Sequence, residues 1–146
     1  MKAISLWQPW ATLIALGCKH IETRGWPTSH RGPLAIHASL RSDKELDLAF
    51  QHLRRRHDLI SKALVEAKTP TYKSLPFGAI VAVCTLEQCV PTQELSSWAL
   101  SRMERDCGNY AYGRYGWVLT DIRRLEQPIV IGGRMGLWHW NEEGLR

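Results

Sequence analysis

The densest run of side chains able to do chemistry is Gly17-Cys18-Lys19-His20-Ile21-Glu22-Thr23-Arg24. Cations and a carboxylate crowd together directly after a glycine suited to ending a helix. In an extended segment His20, Glu22 and Arg24 share one face and Ile21 and Thr23 the other, so Lys19 reaches Glu22 only from the preceding turn. Arg24 offers a planar fork for phosphate or carboxylate. Lys19 offers a point charge or, when desolvated, a base, and Glu22 accepts from the donors on a base edge. The plainer alternative is a solvated strand with a Glu–Arg pair, because exposed pairs are common and contribute little.

Neighbouring segments add aromatic surface. Ser5-Leu6-Trp7-Gln8-Pro9-Trp10-Ala11 puts two indoles and an amide where a first strand meets a first helix, whose free N–H groups can receive an anion. Trp7 or Trp26 is suited to stacking a nucleobase, a contact worth about 1–3 kcal/mol per base, although tryptophan serves more often in a core than as a platform. Gln8 is suited to reading a polar edge. A second candidate region, Glu104 to Tyr115, is rich in glycine, tyrosine and arginine; Tyr110 and Arg114 are its candidate cleft residues, and the alternative is an ordered surface loop packed by its own aromatics. Arg54-Arg55-Arg56 reads as a solvated helix face. Cys18-x-His20 and Cys84-x4-Cys89 come nearest to metal-ligand spacing, but neither has a second pair, so no metal site is expected. No P-loop, dinucleotide fingerprint or G-x-S-x-G elbow is present, and no cofactor is expected.

Gly17, Lys19, Glu22 and Arg24 match the G-x-K-x-x-E-x-R signature, and the chain resembles the ASCH family. The Ser5 to Trp10 opening and Arg31-Gly32-Pro33-Leu34-Ala35-Ile36-His37-Ala38 are similar to its small stand-alone members. Gly78 to Leu86, Gly113 to Trp117 and Gly136 to Trp140 follow in the expected order, so the resemblance covers nearly the whole chain. It implies a PUA-like barrel with a cleft lined by the signature residues, binding RNA or related ligands. Some relatives hydrolyse acetylated cytidine and others cut RNA. The amidohydrolases use the signature lysine, which Lys19 matches, and a threonine two positions before the signature arginine, where this chain has Glu22. Their downstream glutamate has Glu104 as its candidate counterpart.

These residues need a scaffold. Ala3 to Trp7 reads as a strand, followed by a helix of about two turns with Pro9 in its first turn and Trp10, Leu13, Ile14 and Gly17 at helical spacing. Ile21 to Arg24 and Pro33 to Ala38 read as strands. From Asp43 to Ala67 an apolar stripe predicts one long helix or two shorter ones, with Ser42 or Asp43 as N-cap. Gly78 to Leu86 predicts a strand buried on both faces. A short helix is predicted over Pro91 to Met103, and strands over Trp117 to Ile122, Pro128 to Ile131 and Leu137 to Trp140. The pattern predicts an α+β fold on a small β-barrel, with a short N-terminal helix and helical insertions.

Residues 1–146 read as a single domain. With 45% hydrophobic and 23% charged residues the chain suits a packed globular fold. No apolar stretch approaches the roughly 18–20 residues that span a bilayer, and the start lacks a signal peptide's pattern. The expectation is a cytoplasmic protein that does not enter the membrane, with Cys18, Cys84, Cys89 and Cys107 as reduced thiols. A net charge of +5 favours an anionic partner. The leading reading is a module that binds RNA, another single-stranded nucleic acid or a nucleotide-like small molecule. In it Ser5, Trp7, Gln8, Arg24, Trp26, Tyr110 and Arg114 make the contacts. The competing reading is a hydrolase acting on RNA or an acetylcytidine-type nucleoside, with Lys19 as base, Glu22 as positioning or acid/base group and Thr23 as nucleophile. The third is a protein-interaction module.

Overall fold

The computed structural model describes residues 1–142, and its aliphatic and β-branched runs form six strands. These are β1 (Lys2–Leu6), β2 (Ile21–Arg24), β3 (Gly32–Ala38), β4 (Ala79–Pro91), β5 (Tyr115–Val130) and β6 (Leu137–His139). They make one sheet in the order β2-β5-β4-β3-β1-β6. Only the β1–β3 pair is parallel; the other neighbours run antiparallel. The β4–β5 ladder shifts register at three places, and such bulges increase local bend and twist. The sheet curls into a half-barrel, so the α+β class and the barrel-type architecture are both present.

Helix α1 (Trp10–Ala15) lies between two cores. Its Ala11 and Ile14 pack on the sheet with Ile4, Leu6 and Trp117. Leu13, on another face, packs with Phe50, Leu53, Ile60 and Leu64 of α2 (Lys44–Arg56) and α3 (Asp58–Glu66). Burying a side chain of that size stabilises the fold by about 1.5–3 kcal/mol, so α1 couples the helical layer to the sheet. The long apolar stripe resolves into two helices because His57, at φ −128° and ψ 104°, interrupts it. Asp43 is the cap: its carboxylate accepts the Leu46 N–H at 2.9 Å.

Two predicted elements differ. The single helix over 91–103 is instead α4 (Thr92–Leu95) and α5 (Arg102–Asp106). Ser96 and Ser97 donate their hydroxyls to the carbonyls of Gln93 and Glu94, and Ser101 caps α5 by accepting the Glu104 N–H at 3.0 Å. Serine hydroxyls compete in this way with continued helix. The strands expected at 117–122 and 128–131 belong to one strand, β5. Its charged middle lacks apolar alternation because that part is largely exposed, while Arg123 and Arg124 stand in register with Val83 and Ala82 of β4.

Gly116 marks the tightest crossing near the candidate site. It lies opposite Thr23 and Val90, and a Cβ there would collide with Leu95 and press on Ile21 at 3.1 Å. Leu95 is fully buried and has no open direction in which to retreat. Gly116→Ala is expected to lower stability by about 1–3 kcal/mol, read as a lower urea midpoint.

Candidate functional site

Helix α1 ends in a Schellman turn. Gly17, at φ 76°, donates its N–H to Ile14 O at 3.0 Å, and Cys18 donates to Leu13 O at 2.9 Å. The reversal sends Lys19 inward. Its side chain is 1% exposed, and Nζ donates to the carbonyls of Ile21 at 2.6 Å and Cys107 at 2.5 Å. The next two backbone N–H groups, of His20 and Ile21, are taken by the Glu104 carboxylate at 2.8 and 3.2 Å. One turn is therefore held from both sides, by a buried cation reaching out and a buried anion reaching in.

Strand β2 then presents Glu22 and Arg24 on its partly open face. Glu22 stands between two cations, with Lys19 Nζ at 3.6 Å and Arg24 Nε at 3.1 Å. Arg24 also donates Nη2 to Ser5 O at 2.7 Å, tying β2 to β1. The opposite wall is the segment after α5. Asn109 donates its N–H to Thr23 Oγ1 at 3.0 Å, and Arg114 donates to Asn109 O at 3.2 Å and Thr23 O at 3.1 Å. Gly108 permits this closeness, since a Cβ there would press on the Tyr110 ring and on Thr23.

The walls enclose a cavity of about 430 Å³ lined by Ser5, Trp7, Trp10, Lys19, Glu22, Thr23, Arg24, Cys107, Asn109 and Arg114, among others. Trp7 is 47% exposed, with the Arg41 guanidinium 3.8 Å from its ring centroid. Glu22 is matched by two cations, and Asp106, also on the lining, is held by Arg56 at 3.0 Å and His57 at 2.8 Å. Arg114 therefore leaves the cleft with an excess of positive charge. Burial pushes the Cys107 thiol up to about 12, so it stays protonated rather than acting as a thiolate nucleophile near neutral pH. Among the described residues no group of three or more His, Cys, Asp or Glu side chains could hold a metal ion.

Lys19, Glu22, Thr23, Ser5, Trp7, Arg24 and Arg114 thus meet in one cleft. Three expected residues stand elsewhere. Gln8 is 0% exposed: its amide donates to Thr12 Oγ1 and Pro76 O and accepts the Thr12 N–H, fastening α1 to the segment before β4. Tyr110 packs with Ile21, Val90 and Leu95, and its hydroxyl is buried without a hydrogen-bond partner among the described residues. Trp26 lines an adjoining cavity rather than the cleft. Glu104, the candidate counterpart of the amidohydrolases' downstream glutamate, clamps backbone; the Ser101-x-x-Glu104 spacing is the signal that a helix starts there. Asn109 and Arg41 were not anticipated. Asn109 lay within the Gly/Tyr-rich segment, whereas Arg41 meets Trp7 only through the fold.

A family model for the ASCH domain matches residues 4–129. Among solved structures, ASCH from Zymomonas mobilis aligns with a TM-score of 0.50 at 19% identity, over 88% of this chain and 72% of that one. Two variants of that protein align with TM-scores of 0.49 and 0.48, also at 19% identity, over 88% and 89% of this chain and 74% and 73% of theirs. At such identity the likeness concerns the fold alone. No curated protein matches.

Two outcomes follow from the held turn. Lys19→Met keeps most of the buried volume but removes the charge, leaving the carbonyls of Ile21 and Cys107 without this donor and Glu22 with Arg24 as its remaining cation. Stability should fall by about 3 kcal/mol, measured by urea unfolding. The Glu104 hydrogen bond raises the His20 pKa, against a smaller opposing effect of burial. The resulting stabilisation is complete below the unfolded-state value of about 6.5 and is lost as pH rises through the higher folded value. Burial lowers the His37 pKa and gives stability the opposite slope. The expected signal is therefore the difference between wild type and His20→Asn: wild type should hold a stability advantage at pH 6 that shrinks by pH 8.

Proposed function

We propose, on the premise that this chain belongs to the ASCH domain family, that residues 1–146 act as one unit whose cleft binds RNA or a nucleotide-like ligand. The family is linked in general to RNA binding. The observation that carries the reading is the pairing of Glu22 with Lys19 and Arg24 inside a cavity that also holds an exposed indole. A carboxylate pinned by two cations is pre-oriented to accept N–H donors from a base edge. Arg24 and Arg114 supply charge for the phosphate, and Trp7 supplies a flat apolar face. Lys19 has its donors on Ile21 O and Cys107 O, so its part is to position Glu22 and support the field.

The hydrolytic reading draws on the same Lys19–Glu22 pair. It gains less from geometry: the Thr23 hydroxyl already accepts the Asn109 N–H, and Glu104 lies outside the cleft holding the turn. No helix among the described residues is long and apolar enough to cross a membrane.

Titration with single-stranded RNA and with nucleotides, at low and moderate salt, tests the binding reading. Saturable binding is expected. Arg114→Ala should weaken RNA binding about tenfold and reduce the slope of log K against log salt by about 0.7, the value for one lost phosphate contact on a single strand. Absence of saturable binding to either class of ligand would overturn the reading.

A further inference from the structure

Beside the cleft lies a second cavity of about 520 Å³, and the two share Ser5, Trp7 and Arg24. Each is of a size that holds a small organic group. Resting on the reading above, we infer that the occupant is a single-stranded nucleic-acid chain at least two nucleotides long, with one base in the cleft, the next in the adjoining cavity, and the linking phosphate at Arg24. Continuity is the first ground: two separate small ligands would compete for the same Trp7 and Arg24, whereas one chain uses both surfaces together.

Charge is the second ground. The second cavity includes Arg24 and Arg134 on its lining and, among the described residues, no carboxylate. A polyanion fits that balance. The third ground is a braced aromatic surface: Trp26, 37% exposed, stands edge-on to Trp117 at 4.9 Å between centroids and 89° between planes. The Trp117 indole N–H in turn donates to Trp26 O at 3.4 Å. Trp26 is thereby held as a platform, and Met135, 96% exposed, offers a second apolar surface. Flat rings joined by phosphates match this alternation of indole and guanidinium.

Ser5, which lines both cavities, is fixed by hydrogen bonds. His37 Nε2 lies 2.7 Å from Ile131 O, which can only accept, so Nε2 carries the proton and Nδ1 accepts from the Ser5 hydroxyl at 3.0 Å. Ser5 Oγ accepts in turn from Trp138 Nε1 at 3.2 Å. Gly133 lies against this group so closely that a Cβ would stand 2.5 Å from both His37 Cε1 and Ser5 Oγ. Neither side chain is free to yield, so any side chain at 133 displaces the outer wall of the second cavity.

The test is calorimetric titration with uridine and cytidine 5′-monophosphates, mixed dinucleotides and a mixed tetranucleotide, each as RNA and as DNA. A dinucleotide of either sugar series should bind about tenfold more tightly than the mononucleotide, within the range for one added stacked base, with a smaller further gain for the tetranucleotide. Gly133→Ala, Trp26→Ala and Met135→Glu should each collapse the dinucleotide-to-mononucleotide ratio toward one. Met135 is almost wholly exposed, so its variant tests the cavity even should the other two fail to fold. Mononucleotide binding with no dinucleotide gain would overturn this inference and leave the proposed function standing. So would a peptide that binds at Trp26 without competing with nucleotides. Failure of every nucleotide to bind would remove both.

Discussion

A full positive charge sits on Lys19 almost entirely out of water, and the site is arranged around that fact. Moving an ammonium into the interior costs several kcal/mol unless hydrogen bonds and an opposite charge replace its hydration. Here the replacements come from Ile21 O at the start of β2, Cys107 O at the end of α5 and the Glu22 carboxylate, while the Trp10 ring lies 5.9 Å from Nζ. Ile21 and Glu22 are near neighbours of Lys19 in the chain, whereas Cys107 is 88 positions away. Satisfying one cation therefore draws the Cys107–Asn109 wall against β2, and that approach closes the cleft.

Placing the cation depends on a local geometry that begins two residues earlier. A glycine at φ 76° lets α1 reverse at once, and the Schellman hydrogen bonds close the helix end. Without that reversal the chain would run on past the core and Lys19 would extend toward solvent. Glu104 completes the arrangement by accepting the N–H groups of His20 and Ile21. Its own helix is only Arg102–Asp106 and has little stability alone. The helix and the turn are stable because each satisfies the other's buried polar groups.

This division explains what could be read from residues alone. Gly17, Lys19, Glu22 and Arg24 lie within one turn and one strand, so spacing and the two-residue alternation of a strand were enough to join them. The end of α1, the Asp43 cap region and the buried start of β4 were legible for the same reason. Gln8 and Tyr110 were not, because polarity and aromaticity do not say which way a side chain points. Gln8 meets Pro76 O across 68 positions, and Tyr110 turns into the small core beneath β2. The charged stretch of β5 around Arg123 and Arg124 carried no strand pattern, since its pairing is made by backbone against β4. Trp26 illustrates a further limit: its indole is partly exposed, but only the fold places it on the adjoining cavity and not on the cleft.

The distribution of charge also constrains what the cleft can recognise. A lone carboxylate in such a pocket would repel phosphate, and a lone arginine pair would attract any anion with little discrimination. Glu22, bracketed at 3.6 and 3.1 Å by Lys19 and Arg24, has much of its charge compensated while keeping acceptor lone pairs. On the proposed reading it discriminates among donor patterns without opposing the field of Arg24 and Arg114. Lys19 is essential to that balance because its own donors are engaged with the protein; a mobile lysine would be free to bind the ligand's phosphate and leave Glu22 exposed. On the proposed reading, burial of the cation leaves Glu22 free to select among ligands that the arginines attract.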